Sequence, residues 1–80
     1  MANRVAVLGC GSWGTALAAH LLRLGHGVTL WGNESSVVDE LRSSKRNSKY
    51  FPGEEIPIPA PFNATISLSD ALSGCDAVVL

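Results

Sequence analysis

Apolar residues along this chain fall into short unbroken runs set off by glycine, and into one longer stretch with helical spacing. Val5-Ala6-Val7-Leu8 is the first run. It has no polar position after Arg4, as in a strand buried on both faces of a parallel sheet. In Ser12–Leu24, Leu17, Leu21 and Leu24 recur at i, i+4 and i+7, and Ala18 and Leu22 widen that stripe into a helix face. Gly25-His26-Gly27 stops the helix, with a glycine where a left-handed residue is wanted. Val28–Trp31 is a second apolar strand. Strand, helix and strand in so few residues make a minimal βαβ unit.

The pattern then loosens. Asn33 or Ser35 is placed to cap a second helix reaching about Arg42–Arg46, with Val37, Val38 and Leu41 as its inner face and basic residues at its end. From Asn47 to Asn63 the chain reads as loop. Pro52, Pro57, Pro59 and Pro61 exclude both helix and central strand there. A loop that long in a compact domain is more often functional than idle. Thr65–Leu68 fits a short strand, Ser69 caps a short helix through Leu72, Gly74 stops it, and Ala77–Leu80 is another buried apolar strand. No repeat is visible.

The glycines between the first strand and the first helix change the picture most. Gly9, Gly11 and Gly14 fall as G-x-G-x-x-G, after an apolar strand and opening an apolar helix. That is the context the dinucleotide-binding fingerprint requires. Gly9 allows the tight turn, Gly11 lets a pyrophosphate approach the backbone, and Gly14 lets helix and strand pack closely. The helix start then offers free N–H groups and a positive dipole end to phosphate. The bare glycine pattern is weak by itself, and a plain strand-to-helix turn is the bland alternative. No G-K-[ST] follows, so the glycines are not a P-loop.

Composition narrows this further. The 80 residues are 46% hydrophobic and 16% charged, with a formal net charge of −1. That is globular composition, at most one domain, and no basic footprint for nucleic acid. A domain this short buries only ~60% of its unfolded surface and is marginal alone. Cys10 and Cys75 have neither metal spacing nor a disulfide framework, and two free thiols fit a reducing compartment. Val7-Leu8-Gly9-Cys10 mimics a lipoprotein signal, but the apolar run before it is too short. Asn33-Glu34-Ser35 and Asn63-Ala64-Thr65 match the glycosylation triplet without other signs of secretion. No apolar stretch is long enough to span a membrane. The cytoplasm is the expected location.

Several residues invite both a functional and an ordinary reading. Dinucleotide-binding domains usually end the second strand with an acid for the ribose hydroxyls. Here Trp31 closes the strand and Gly32 takes the acid's place, removing a carboxylate that would repel a 2′-phosphate. Glu34 lies twenty residues after Gly14 and serves instead if the strand runs longer. Asn33 is equally a cofactor contact and a helix cap. Arg42, Lys45, Arg46 and Lys49 cluster within reach of a phosphate, although a solvated helix end is the more frequent explanation. Tyr50-Phe51-Pro52-Gly53 either covers a cofactor or packs under the loop. Trp13 sits beside the phosphate loop, whereas Trp31 reads as core. His20 and His26 have no acid or nucleophile at a telling spacing.

Three segments carry a family resemblance. Gly9-Cys10-Gly11-Ser12-Trp13-Gly14-Thr15-Ala16-Leu17-Ala18, then Gly25-His26-x-Val28-x-Leu30-Trp31, then Asn47-x-x-Tyr50-Phe51-Pro52-Gly53 closely resemble NAD(P)-dependent glycerol-3-phosphate dehydrogenases of the bacterial and plastid type. Asp76-Ala77-Val78-Val79-Leu80 resembles the family's next core strand. The resemblance covers essentially the whole chain. It implies an α/β, Rossmann-like doubly wound parallel sheet, of which residues 1–80 are the N-terminal part of an incomplete NAD(P)-binding domain, without the substrate domain. It implies cofactor contacts around Gly9, Cys10, Gly11, Ser12, Trp13 and Gly14, at Asn33 with Glu34, and at Tyr50. The implied cofactor is NADP or NAD, with NADPH slightly favoured. The implied reaction is reversible reduction of dihydroxyacetone phosphate to sn-glycerol 3-phosphate, feeding glycerophospholipid synthesis. A homodimer is expected of the whole protein, with plastid stroma as the location in a plant or alga. Catalytic residues are expected beyond Leu80, so a chain ending there is expected to be inactive and to fold incompletely by itself. Asn33-Glu34 stands where the family often has His or Arg, and Cys10 where Ala is commoner. Two alternatives stay open: another Rossmann dehydrogenase, such as a ketopantoate reductase or a 6-phosphogluconate dehydrogenase relative, and a non-catalytic NAD-sensing module.

Overall fold

The computed structural model describes residues 3–56 and 61–80. Strand β1 (Arg4–Leu8) leads into helix α1 (Ser12–Arg23), and β2 (Gly27–Trp31) into α2 (Ser35–Ser44). A short antiparallel ribbon follows, of β3 (Arg46–Asn47) and β4 (Phe51–Glu55). Strand β5 (Phe62–Thr65), helix α3 (Leu68–Leu72) and strand β6 (Ala77–Val79) complete the chain. The main sheet is parallel throughout, in the order β5-β2-β1-β6. Successive strands step outward from β1 through β2 to β5, and β6 then returns to the other side of β1. That reversal is the doubly wound arrangement, and it puts the switch point beside β1.

Register explains the core. Val5 lies opposite Val28, and Val7 opposite Leu30, which in turn lies opposite Ala64. These five share one face of the sheet. They form a single cluster with Ala18, Ala19 and Leu22 of α1 and with Val37, Val38 and Leu41 of α2. Ala6 and Thr29 pair on the opposite face, where α3 contributes the buried Ala71. A fully buried leucine such as Leu22, Leu30 or Leu41 stabilises by about 1.5–3 kcal/mol relative to exposure.

The first two strands and the second helix's inner face lie where the pattern puts them, and several other elements do not. On α1 the buried residues are Thr15, Ala18, Ala19 and Leu22, while Leu17 and Leu21 are half-buried and Leu24 is exposed. Ala18 and Leu22 are thus buried as the pattern has them, while the small residues Thr15 and Ala19 let the helix sit close to the sheet and turn its contact face away from Leu17, Leu21 and Leu24. Helix α1 does end at Gly25, which is left-handed at φ +92°. Neither Asn33 nor Ser35 caps α2; Glu34 occupies that position without a side-chain cap bond. The cap of α3 is Ser67, which accepts from the Asp70 amide at 3.2 Å, not Ser69.

Three strand expectations are corrected as well. Residues 46–55 are a ribbon rather than loop, and Pro52 lies inside β4. A two-stranded ribbon is all edge, so a proline costs it no central ladder bond. Pro57 and Pro59 lie outside the described residues. Strand β5 ends at Thr65, where the sequence pattern had a strand begin. Among the described residues β6 lies at the margin of the sheet with Ala77 and Val78 exposed, where the pattern has a buried strand.

Candidate functional site

The loop between β1 and α1 is built by its glycines, each for a different reason. Gly9 adopts φ +128°, a conformation that side chains rarely tolerate, and its amide donates to the Trp31 carbonyl at 2.8 Å. A Cβ on Gly14 would lie 1.9 Å from the Gly9 carbonyl oxygen, so the helix can approach the turn only without one. Gly11 is the N-cap of α1, and a Cβ there would meet nothing within 4 Å. Its freedom from a side chain is therefore not a packing requirement of the described residues. The space beside it is open, and no side chain caps the helix start.

Two open clefts meet at this loop. One, of about 340 Å³, is lined by Gly9, Cys10, Gly11, Gly32, Asn33, Glu34 and Tyr50, among others. The other, of about 300 Å³, lies at the switch point and is lined by Val7, Leu8, Gly9, Gly11, Trp13, Gly14 and Leu80. Gly9 and Gly11 belong to both. A third hollow, of about 90 Å³, opens at the far end of the strands, around Arg4, Gly27 and Pro61.

Of the residues singled out in the sequence, Gly9, Cys10, Gly11, Asn33, Glu34 and Tyr50 line the first cleft and Trp13 and Gly14 the second. Ser12 is exposed at the first turn of α1 and lines neither. Trp31, expected in the core, is half-buried at the first cleft and donates its indole N–H to the Ile66 carbonyl at 3.0 Å. Cys10 is buried and fills the space beside Gly32. Burial, with the Glu34 charge second, pushes its thiol from the ordinary 9.0 to about 11. It is an inert packing group at neutral pH.

Gly32 does follow directly on the end of β2, and the structure gives it a steric reason. A Cβ there would lie 2.5 Å from the Cys10 sulfur and 2.9 Å from the Cys10 Cβ. No side chain fits while Cys10 keeps its place. Gly32→Asp is therefore a packing substitution, and it cannot serve as a clean test of charge beside the cofactor.

The cleft's charged wall is Glu34. Its carboxylate accepts from the Lys49 ammonium at 2.6 Å and from the Tyr50 hydroxyl. Lys49 also lies over the Tyr50 ring, 5.1 Å from its centroid. The Lys49 bond first, and the Tyr50 bond second, hold the Glu34 carboxyl below the usual carboxylate range; Lys49 is raised in turn. Arg42 and Lys45 stand at the end of α2, and Arg46 lies in β3. Lys45 is left-handed at φ 61° and returns its ammonium to the Arg42 carbonyl at 2.8 Å.

Sequence reasoning missed the roles of Asn47 and Thr15. The Asn47 side chain is fully buried. Its amide donates to the Cys10 carbonyl at 2.8 Å and to Thr15 Oγ1 at 2.9 Å, and its Oδ1 accepts from the Tyr50 amide at 3.2 Å. One side chain thus ties the glycine loop, helix α1 and the ribbon together. A buried amide with every group paired is a strong constraint, because losing any partner costs the full desolvation of the other. The hint in the sequence was an asparagine three residues before the tyrosine, at the head of a proline-rich loop.

The fold and this site define a Rossmann-type domain: a parallel α/β sheet whose glycine loop stands at the switch point. The chain belongs to the family described as NAD-dependent glycerol-3-phosphate dehydrogenase N-terminus, which matches residues 4–80. A glycerol-3-phosphate dehydrogenase (NAD(P)+) of Stenotrophomonas maltophilia strain K279a is 47% identical over 73 residues, covering 91% of this chain and 21% of the relative. That of Bacillus thuringiensis strain Al Hakam is 44% identical over 78 residues, covering 98% and 22%. The crystal structure of glycerol-3-phosphate dehydrogenase from Coxiella burnetii superposes with a TM-score of 0.83 at 40% identity, covering 96% of this chain and 23% of that one. The chain spans about a fifth of the length of the curated relatives it matches. The family match removes the ketopantoate reductase and 6-phosphogluconate dehydrogenase alternatives. Among the described residues, no helix is long and apolar enough to cross a membrane.

Proposed function

We propose that this chain is the cofactor-binding part of an enzyme that reversibly reduces dihydroxyacetone phosphate to sn-glycerol 3-phosphate with NAD(P)H. The observation that carries the reading is the pair of clefts meeting at Gly9 and Gly11. A dinucleotide is two nucleosides joined by a pyrophosphate, and this arrangement has that shape. The pyrophosphate lies over Gly11, facing the uncapped start of α1, where backbone N–H groups and the helix dipole favour an anion. The adenosine side takes the cleft of Asn33, Glu34 and Tyr50, and the nicotinamide side takes the cleft of Trp13. Gly9, Cys10, Gly14 and Ser12 shape the loop between them. When bound, the nicotinamide supplies or receives the hydride.

No titratable side chain lines the nicotinamide-side cleft among the described residues. The proton donor and the groups that hold the substrate phosphate are assigned to the remainder of the parent protein, with the substrate domain. The same reading makes the parent a cytoplasmic homodimer serving glycerophospholipid synthesis. NADPH is accepted at least as well as NADH, because position 32 carries no carboxylate and Glu34 is already paired with Lys49.

Calorimetry on the full-length protein tests this. NADH and NADPH bind the parent, and dihydroxyacetone phosphate drives their oxidation. Rejection of NADPH by more than about tenfold, equal to ~1.4 kcal/mol, overturns the stated preference. Failure of both cofactors to bind overturns the whole reading.

A further inference from the structure

Lys49 stands apart from the other cations near the site. Among the described residues it is the basic side chain of the 42–49 run that bonds a group lining the adenosine-side cleft. Its partner, Glu34, is the acid of that cleft. Neither is deeply buried: the two side chains are 59% and 39% exposed. Glu34 lines the cleft, and the Lys49 ammonium stands one hydrogen bond behind that wall, at 2.6 Å. Tyr50 holds Glu34 from a second direction, so the carboxylate keeps an anchor when the flexible lysine stem moves away.

We propose that Lys49 and Glu34 are opposed halves of one device that sets the choice between a 2′-hydroxyl and a 2′-phosphate on the adenosine ribose. This rests on the assignment of that cleft to the adenosine side. A ribose diol donates hydrogen bonds, and Glu34 is an acceptor with lone pairs to spare beyond its two present bonds. Such a ligand leaves the ion pair intact. A 2′-phosphate offers anionic oxygens, which pair best with an ammonium. It must draw Lys49 from Glu34 and then face the carboxylate left behind. Attraction and repulsion come from charges a single hydrogen bond apart, so they nearly cancel. The intact pair makes the cleft tolerant of both ligands, and removing either half makes it selective.

The two fragments 2′,5′-ADP and 5′-AMP sample the adenosine half without involving the hydride chemistry. Their affinities for the full-length protein, measured by calorimetry at low salt, give a ratio for each variant. Glu34→Gln removes the repulsion and frees Lys49, so the ratio moves about tenfold toward 2′,5′-ADP. Lys49→Met moves it about tenfold toward 5′-AMP. The double variant returns to within about threefold of the parent, because each single effect depends on the other partner. Arg42→Met removes the same charge without touching the pair and leaves the ratio unchanged. Binding of 5′-AMP with a ratio that neither single variant moves overturns the proposal, as does a shift in Arg42→Met equal to that in Lys49→Met. Absence of 5′-AMP binding to the parent overturns instead the assignment of the cleft.

Discussion

The glycine loop and the β3–β4 ribbon face each other across one cleft, and they are held in place by opposite means. The loop is fixed by backbone. Its shape follows from a left-handed Gly9 and from a carbonyl 1.9 Å from where a Cβ on Gly14 would stand. These constraints act over a few residues. The ribbon is fixed by side chains from distant parts of the chain: Asn47 bonds Cys10 and Thr15, Lys49 and Tyr50 bond Glu34, and Ser48 bonds Glu40. The Ile56 amide adds a backbone bond to the Lys45 carbonyl at 2.7 Å. A wall made of backbone tolerates almost no substitution at the residues that shape it, here Gly9 and Gly14. A wall made of hydrogen bonds tolerates many at moderate cost, and it is where relatives can differ in what they accept.

Gly14→Ala is the sharpest test of the first wall. Relief of a backbone clash requires α1 to move off β1, so the full-length protein is expected to lose about 3 kcal/mol or more. Denaturant unfolding reads this, and a loss below about 1 kcal/mol would show that the loop adapts. Asn47→Ala probes the second wall. It leaves the Cys10 carbonyl and the Tyr50 amide short of a partner, for an expected loss of about 1–3 kcal/mol. Equal losses in the two variants would erase the distinction between the walls.

Cys10, between the two, gives a pH test. Its thiol is raised to about 11, so the folded state keeps its proton where the unfolded state has lost it. The associated stability is complete below pH 9.0 and is lost as pH rises toward 11. The loss is on the order of 1–2 kcal/mol across that window, and unfolding midpoints measured there should flatten in Cys10→Ala. A slope that persists in the variant would assign the loss to another group. Gly11→Val has the smallest expected effect on stability, within about 0.5 kcal/mol, because the position is open and not left-handed. Calorimetry should nevertheless show dinucleotide affinity falling more than about tenfold. A variant that binds normally would place the pyrophosphate elsewhere.

The same contrast governs what could be read from sequence. The loop was legible because its constraints are local: a strand, three glycines and a helix, all in one stretch. Strand β1 was legible as an uninterrupted apolar run, and β2 as an apolar run broken only by Thr29. The face of α1 was legible only in part: Ala18 and Leu22 are buried as read, but close packing brought in Thr15 and Ala19 in place of Leu17, Leu21 and Leu24. Pro52 concealed β4, since proline excludes a central strand but not one in a two-stranded ribbon. Glu34, Lys49 and Tyr50 were each noticed, but their meeting was not, being separated by fifteen and sixteen residues. Gly32 was noticed for the carboxylate it lacks, but its steric reason was not legible. Its neighbour Cys10 lies on another segment, and only the fold brings the two together.

The bond from Asn47 to Cys10 spans 37 residues, which has a kinetic side. Local pairings such as α1 form early because little chain must be ordered to make them, whereas a contact across two strands and two helices waits for those elements to assemble. The ribbon that supplies the Asn47 amide is therefore among the last parts to set. In a refolding experiment on the full-length protein, helical signal should recover before the capacity to bind nucleotide does. Asn47→Ala should lengthen that lag or remove the slower step altogether. The asparagine then acts as the closing latch of assembly, marking the moment at which a folded sheet becomes a receptor.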